Sequence, residues 1–204
     1  VQALAKIPTE KYLTERVDFA TFSGHKFHGV RGVGFVYIKS GKKITPLLTG
    51  GGQERDYRST TENVAGIAAT AKALRLSMEK LNIFTSKTGQ MKAVIRQALL
   101  DYPDIFVFSD EEDFAPHILT FGIKGVRGEV IVHAFEDYDI FISTTSACSS
   151  KAGKPAGTLI AMGVDKDKAQ SAVRLSLDLE NDMSQVEQFL TKLKLIYNQT
   201  RKVR

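Results

Sequence analysis

The spacing of apolar residues changes period several times along this chain. Asp18-Phe-Ala-Thr-Phe22 alternates and then runs into Ser23-Gly24-His25-Lys26, the pattern of a strand ending in a loop. Gly32-Val-Gly-Phe-Val-Tyr-Ile38 predicts a second strand, apolar enough to be central. Ile44-Thr-Pro-Leu-Leu48 predicts a short third, with Pro46 marking an edge or a strand end. Gly50-Gly51-Gly52 requires a turn or a close backbone approach. Ser59-Thr-Thr-Glu62 reads as a capping box. It opens a predicted helix over about 62–81 with Val64, Ile67, Ala68, Ala71 and Leu74 on one face. A second helix, about 87–101, carries Met91, Val94, Ile95, Ala98 and Leu99. Strands are predicted near 105–108 and 117–122, a helix near 127–136 carrying Val130, Ile131, Ala134 and Phe135, and a strand near 139–143. A short helix begins at Pro155, and Ala172-Val-Arg-Leu-Ser-Leu177 is the last strand. Asp182-Met-Ser-Gln185 caps a final helix carrying Val186, Phe189, Leu190, Leu193 and Ile196.

Strands and helices alternate, so the class is α/β or α+β. The character breaks near 80–88: close-spaced strands lie before it and a compact mixed unit after it. With 204 residues, 43% hydrophobic and 25% charged, the chain has the composition of a globular protein holding one large domain or two small ones. No apolar run reaches the ~18 residues that span a membrane, and no signal peptide opens the chain. Val1-Gln-Ala-Leu-Ala begins without methionine inside an apolar stretch and reads as a cut end. The net charge is +5, with a modest basic cluster at Lys192, Lys194, Arg201, Lys202 and Arg204. A nucleic-acid footprint would be denser and interleaved with aromatics, so no direct nucleic-acid binding is expected, while weak attraction to an acidic partner or to tRNA stays open.

Two segments carry candidate chemistry. The single cysteine, Cys148, sits in Ser143-Thr-Thr-Ser-Ala-Cys-Ser-Ser150, among small polar residues that cannot form a core. That setting suits an accessible, reactive thiol rather than a packed one. One cysteine also excludes an internal disulfide and fits a reducing cytoplasm. Ser23-Gly-His-Lys26 lies at the carboxyl end of a predicted strand, where α/β sheets bind ligands. A hydroxyl and an imidazole there can hold an anion such as phosphate, and a lysine amine can form a Schiff base with a carbonyl cofactor. His25 and His28 are too few for a metal site, and His117 and His133 read as structural or solvated. Gly29, Gly32 and Gly34 make no dinucleotide fingerprint, because no helix follows them.

Taken in order, Ser23-Gly-His-Lys26, Gly32-Val-Gly34, Gly50-Gly-Gly-Gln-Glu-Arg55, Arg58-Ser59, Thr61-Glu62-Asn63, Ser146-Ala-Cys148-Ser and Val173-Arg174-Leu-Ser176 resemble the NifS-type cysteine desulfurases. These are pyridoxal 5'-phosphate (PLP) enzymes of the class V aminotransferase group. The resemblance runs from Gln2 to the final helix. It implies a fold in which residues 1–82 are the end of a PLP-dependent transferase large domain, with mostly parallel strands. Residues 83–204 would then be a small α+β domain carrying the cysteine loop.

By position, Lys26 matches the lysine that binds PLP, Ser23 and His25 match phosphate ligands, and Gln2 matches a glutamine bonded to the cofactor's phenolic oxygen. Thr61 matches a threonine that reaches the phosphate in the other subunit, which implies a homodimer. Arg174 matches the arginine that pairs with the substrate carboxylate, and Cys148 the nucleophile that takes the sulfur as a persulfide. Thr60, and Thr144 or Thr145, stand where the family usually has glycine. The implied activity is conversion of L-cysteine to L-alanine, with sulfur passed to an acceptor such as an iron–sulfur scaffold or a tRNA-thiolation enzyme. The family enzyme is nearly twice as long, and its first half supplies further cofactor contacts. The chain alone is therefore expected to be inactive. The alternatives are a selenocysteine lyase, another class V aminotransferase, or a non-catalytic docking module. Cys148 argues against a plain aminotransferase.

Overall fold

The computed structural model describes residues 1–109, 114–144 and 157–202. The chain divides into two compact units, Val1–Ile83 and Phe84–Arg204.

In the first unit, β1 (Phe19–Ser23) and β2 (Gly34–Ile38) pair antiparallel, with Phe19 opposite Ile38 and Ser23 opposite Gly34. The expectation of mostly parallel strands is not met by the pair this unit contributes. Ten residues join the two strands, fewer than the dozen or more a parallel crossover usually takes, so the chain returns as a hairpin. Ile44–Leu48 forms no strand. Pro46 offers no N–H to a ladder, and Leu47 is 94% exposed. A small core gathers Leu4, Ala5, Phe22 and Phe27, with Tyr12, Leu13, Ala73 and Leu74 packed on it.

The helix α1 spans Val64–Glu79. Its N-cap is Asn63, whose side chain accepts from the Gly66 amide at 3.0 Å, rather than the expected Ser59–Glu62 box. Its inner face also differs from the expected one. Val64, Ile67, Ala68 and Ala71 are exposed, whereas Thr70, Ala73, Leu74 and Ser77 are buried or half-buried. The apolar stripe therefore points away from this unit's own core, and only Leu74 of the expected face packs inward.

In the second unit, α2 (Leu81–Leu100, its first turn preceding the unit boundary) starts earlier than expected, one residue after α1 ends. Four strands form an antiparallel sheet: β3 (Ile105–Val107), β4 (Ile118–Ile123), β5 (Ser143–Thr144) and β6 (Val173–Ser176), in spatial order β3-β4-β6-β5. One face of this sheet carries Leu119, Phe121, Ile123, Val173 and Leu175 into a core completed by α2, α3 (Gly128–Glu136) and α6 (Met183–Lys202). Phe135 and Phe189 stack there at 5.0 Å between ring centroids. Of the strand expected over 139–143, only Ser143 pairs, in β5; Asp139 takes a left-handed φ of 57°, outside the extended region of strand residues, and residues 140–142 form no strand. The expected start of a helix at Pro155 lies outside the described residues, and α4 is described over Gly157–Ala161. A further helix, α5 (Lys166–Gln170), was not expected; Asp165 caps it by accepting from the Asp167 and Lys168 amides. Among the described residues, no helix is long and apolar enough to cross a membrane.

Candidate active site

Ser23 ends β1, and the next four residues, Gly24–Phe27, wind into a single 3-10 turn closed by His28 at φ 65°. The amides of His28 and Gly29 both donate to the Gly24 carbonyl, the latter at 2.9 Å. The Gly24 amide donates to the Val33 carbonyl at 2.8 Å. A Cβ at Gly24 would lie 3.0 Å from Thr70 Oγ1 and 3.1 Å from the Val33 carbonyl oxygen, so a residue without a side chain lets the turn sit down on α1. Phe27 is buried beneath the turn while Lys26 is half-buried and His25 exposed. The fold therefore anchors the turn by its apolar residue and leaves the amine and the imidazole accessible. Ser23, His25 and Lys26 all lie within four residues of the chain.

Gln2 is exposed, two residues before Leu4, which shares a cluster with Phe22 and Phe27 on either side of the turn. That cluster brings the N-terminal segment beside the Lys26 turn. Thr61 is exposed on the non-helical run leading into α1. Next to that run, the Ser59 hydroxyl donates to the Gly51 carbonyl at 2.6 Å and closes the glycine loop. Glu54, Arg55 and Asp56 in that loop all take left-handed backbone conformations.

Arg174 belongs to the second unit. It sits on β6 between two strands, paired with Thr120 of β4 and Ser143 of β5. Its neighbours Val173 and Leu175 point into the core, so alternation turns Arg174 to the opposite face of the sheet. Two hydroxyl-bearing residues flank it across the strands. Its Nε is buried and has no hydrogen-bond partner among the described residues. A buried guanidinium donor left unpaired is costly, and an anionic group bound there would satisfy it. Cys148 lies outside the described residues. Among the described residues, no group of His, Cys, Asp and Glu is arranged to hold a metal ion.

Sequence reasoning missed several residues. Thr70 and Ser77 contact the Lys26 turn but are ordinary polar positions inside a helical pattern. Thr120 and Ser143 flank Arg174 only through strand pairing, which no local pattern specifies. Lys92 is buried on α2, its amine donating to the Ala115 carbonyl at 3.1 Å, and burial followed by the Arg96 charge holds its pKa below the ordinary lysine value.

A two-unit α/β chain with a strand-end lysine turn in one unit and a sheet-borne arginine in the other fits the PLP-dependent transferase fold. The chain belongs to the aminotransferase class-V family, whose profile matches residues 1–189. It is 47% identical over its whole length to a NifS/IcsS protein homolog of Lactobacillus delbrueckii subsp. bulgaricus, of which it covers 53%. It is 35% identical to the cysteine desulfurase IscS of Clostridium botulinum, over 92% of this chain and 48% of that protein. Its fold superposes on the solved structure of a NifS-like protein with a TM-score of 0.83 and 35% identity, over 97% of this chain and 51% of that one. A NifS-like protein from Rickettsia africae superposes equally well at 30% identity. The chain thus spans about half the length of the relatives it matches.

Proposed function

We propose that this chain carries the lysine, arginine and cysteine portion of a cysteine desulfurase that converts L-cysteine to L-alanine. The observation that carries this reading is the Lys26 turn: a half-buried lysine at the carboxyl end of β1, with an imidazole one position before it and a hydroxyl three positions before it. That donor set fits PLP, because an amine suits its aldehyde while a hydroxyl and an imidazole suit its phosphate. Ser23 and His25 would hold the phosphate, Gln2 the phenolic oxygen and Lys26 the aldehyde carbon. Thr61 would reach the phosphate in the partner subunit of a homodimer. The exposed apolar residues Leu47, Val64 and Ile67 support such an association. In this reading the first unit is the end of the cofactor-binding domain, and the second is the small domain with the cysteine loop.

When bound, PLP supplies an electron sink for the electrons released at the substrate Cα. Arg174 grips the substrate carboxylate with its planar fork and fixes the orientation of the Cα–H bond. The Lys26 amine takes the Cα proton. The Cys148 thiolate would attack the substrate Sγ: the S–S bond of a persulfide forms on Cys148 as the Cβ–Sγ bond breaks, and the electron pair left on the Cβ side is protonated to give the methyl group of alanine. Sulfur then passes to an acceptor protein serving iron–sulfur cluster assembly or tRNA thiolation. A lone cysteine supports a cytoplasmic setting.

The test is made on the whole protein that carries this chain, by following alanine release from L-cysteine and the mass of the Cys148 peptide. Lys26→Ala is expected to abolish both alanine and persulfide. Cys148→Ser is expected to retain exchange of the substrate Cα proton with solvent while releasing no alanine. Normal alanine release by either variant overturns the assignment. A whole protein that releases no alanine yet captures an acceptor protein would instead be a docking module.

Arg174→Lys keeps the charge but loses the bidentate fork. Loss of a hydrogen bond to a charged group is worth about 1.5–3 kcal/mol, so kcat/KM for cysteine should fall roughly ten- to a hundredfold. Unchanged cysteine kinetics in that variant would make Arg174 a plain strand residue.

A further inference from the structure

α1 presents two hydroxyl residues, Thr70 and Ser77, to opposite ends of the Lys26 turn. The Ser77 hydroxyl donates to the Phe27 carbonyl at 3.1 Å. Thr70 packs under Gly24, close enough that a Cβ there would meet its Oγ1 at 3.0 Å and its Cγ2 at 3.1 Å. Seven residues apart on a helix, the two side chains lie on one face two turns apart. Gly24 and Phe27 are the first and last residues of the turn, and Lys26 lies between them. The Gly24 amide also donates to the Val33 carbonyl, and Phe27 packs with Leu4, Ala5 and Phe22.

We propose that Thr70 and Ser77 are positioning residues for Lys26, which clamp both ends of its turn onto α1 and so fix the direction of its amine. The proposal rests on the reading of Lys26 as the cofactor lysine. The two contacts work differently. Ser77 acts through a hydrogen bond to a carbonyl that has no helix to continue into. Thr70 acts through volume: its hydroxyl is buried and has no partner among the described residues, so the polar atom contributes nothing to the clamp. The methyl and hydroxyl together fill the space that Gly24 leaves.

This division makes distinct forecasts for conservative variants of the 204-residue chain. Ser77→Ala removes the bond and should speed hydrogen exchange at the His28 and Gly29 amides by about three- to tenfold. Ser77→Thr restores the hydroxyl and should return exchange to the parent rate. Thr70→Ala opens a void under Gly24 and should loosen the same two amides. Thr70→Val preserves the volume and should leave them unchanged.

The second readout is the Lys26 amine itself. Reductive methylation with formaldehyde and cyanoborohydride is followed against pH, with the Lys26 peptide quantified by mass spectrometry. In Ser77→Ala and Thr70→Ala the rate profile should move towards that of the exposed Lys43 in the same digest, and in Ser77→Thr and Thr70→Val it should not. Helix content by circular dichroism shows whether each variant is folded. Faster exchange along the whole of α1 with no change in the Lys26 profile would mean that the contacts only stabilise the helix, and would overturn the proposal. So would unchanged turn amides in Ser77→Ala. The reading of Lys26 is tested apart from this: if Lys26→Ala left alanine release by the whole protein intact, that reading would fall while the exchange results stood.

Discussion

Gly34 shows how tightly one residue can hold the site in place. A Cβ on it would lie 2.3 Å from the Phe22 carbonyl oxygen, a backbone atom with nowhere to move. Gly34 pairs with Ser23, the residue that leads into the Lys26 turn. Gly34→Ala should therefore part β1 from β2 at that end. Overpacking of this kind costs roughly 1–3 kcal/mol, and the Gly24 amide should lose protection first. Thermal unfolding and amide exchange measure this; an alanine variant as stable as the parent would show that the strands can shift apart without penalty. Gly32-Val-Gly34 stood out in the sequence, but its steric reason did not, because the clash is with a residue twelve positions away. Lys26, Ser23 and His25 were legible because they share one four-residue segment. Arg174 was legible as a charge inside an apolar strand, while Thr120 and Ser143 beside it were not. Their nearness to Arg174 exists only once β4, β5 and β6 pair.

At the scale of elements, α6 shows what local sequence determines well. The Asp182 carboxylate accepts from the Gln185 amide at 3.0 Å, and the Gln185 side chain accepts from the Asp182 amide at 3.3 Å, the reciprocal pair expected from Asp182-Met-Ser-Gln185. The Ser184 hydroxyl and the Gln185 amide hold the Asp182 pKa below its ordinary value. A carboxylate with a lowered folded pKa contributes stability that is present above its unfolded pKa and lost as pH falls through the folded one. Asp182→Asn keeps an N-cap oxygen without the titration. It should change stability little near neutral pH and flatten the loss of stability below pH 3.8. A parent-like acid limb in that variant would remove Asp182 from the account. Tyr102 forecasts the opposite limb: burial first, then the Asp101 charge, raises its phenol above 10.0. The unfolded chain gives up that proton earlier, so stability should fall as pH rises past 10.0, and Tyr102→Phe should lessen the fall. Elements whose limits depend on distant partners were less legible. Ile44–Leu48 has strand-like residues but no pairing strand among the described residues, Asp139 takes a left-handed φ four residues before β5 begins, and the apolar stripe of α1 faces away from its own unit's core.

The two units differ in what holds them together. Among the described residues the second buries a continuous cluster of seventeen apolar residues from α2, α3, α6 and the sheet, whereas the first gathers four. A two-stranded hairpin with a core that small is marginal on its own, and most of β2 is exposed. Local stability follows buried apolar contact, so the slowest-exchanging amides should all lie within residues 84–204. Those of β4, β6 and the inner face of α6 should exchange only by global opening of that unit. Phe189 lies at the centre of this core, stacked on Phe135 and edge-on to Phe121 at 6.1 Å. Phe189→Ala should cost about 3–5 kcal/mol and raise exchange throughout the second unit. It should leave the His28 and Gly29 amides of the Lys26 turn at their parent rates. Hydrogen exchange mapped by mass spectrometry on both proteins decides this. If the turn amides accelerate in step with β4 and β6, the units open as one cooperative body. If they do not, the Lys26 turn depends for its order on β1, β2 and α1 alone.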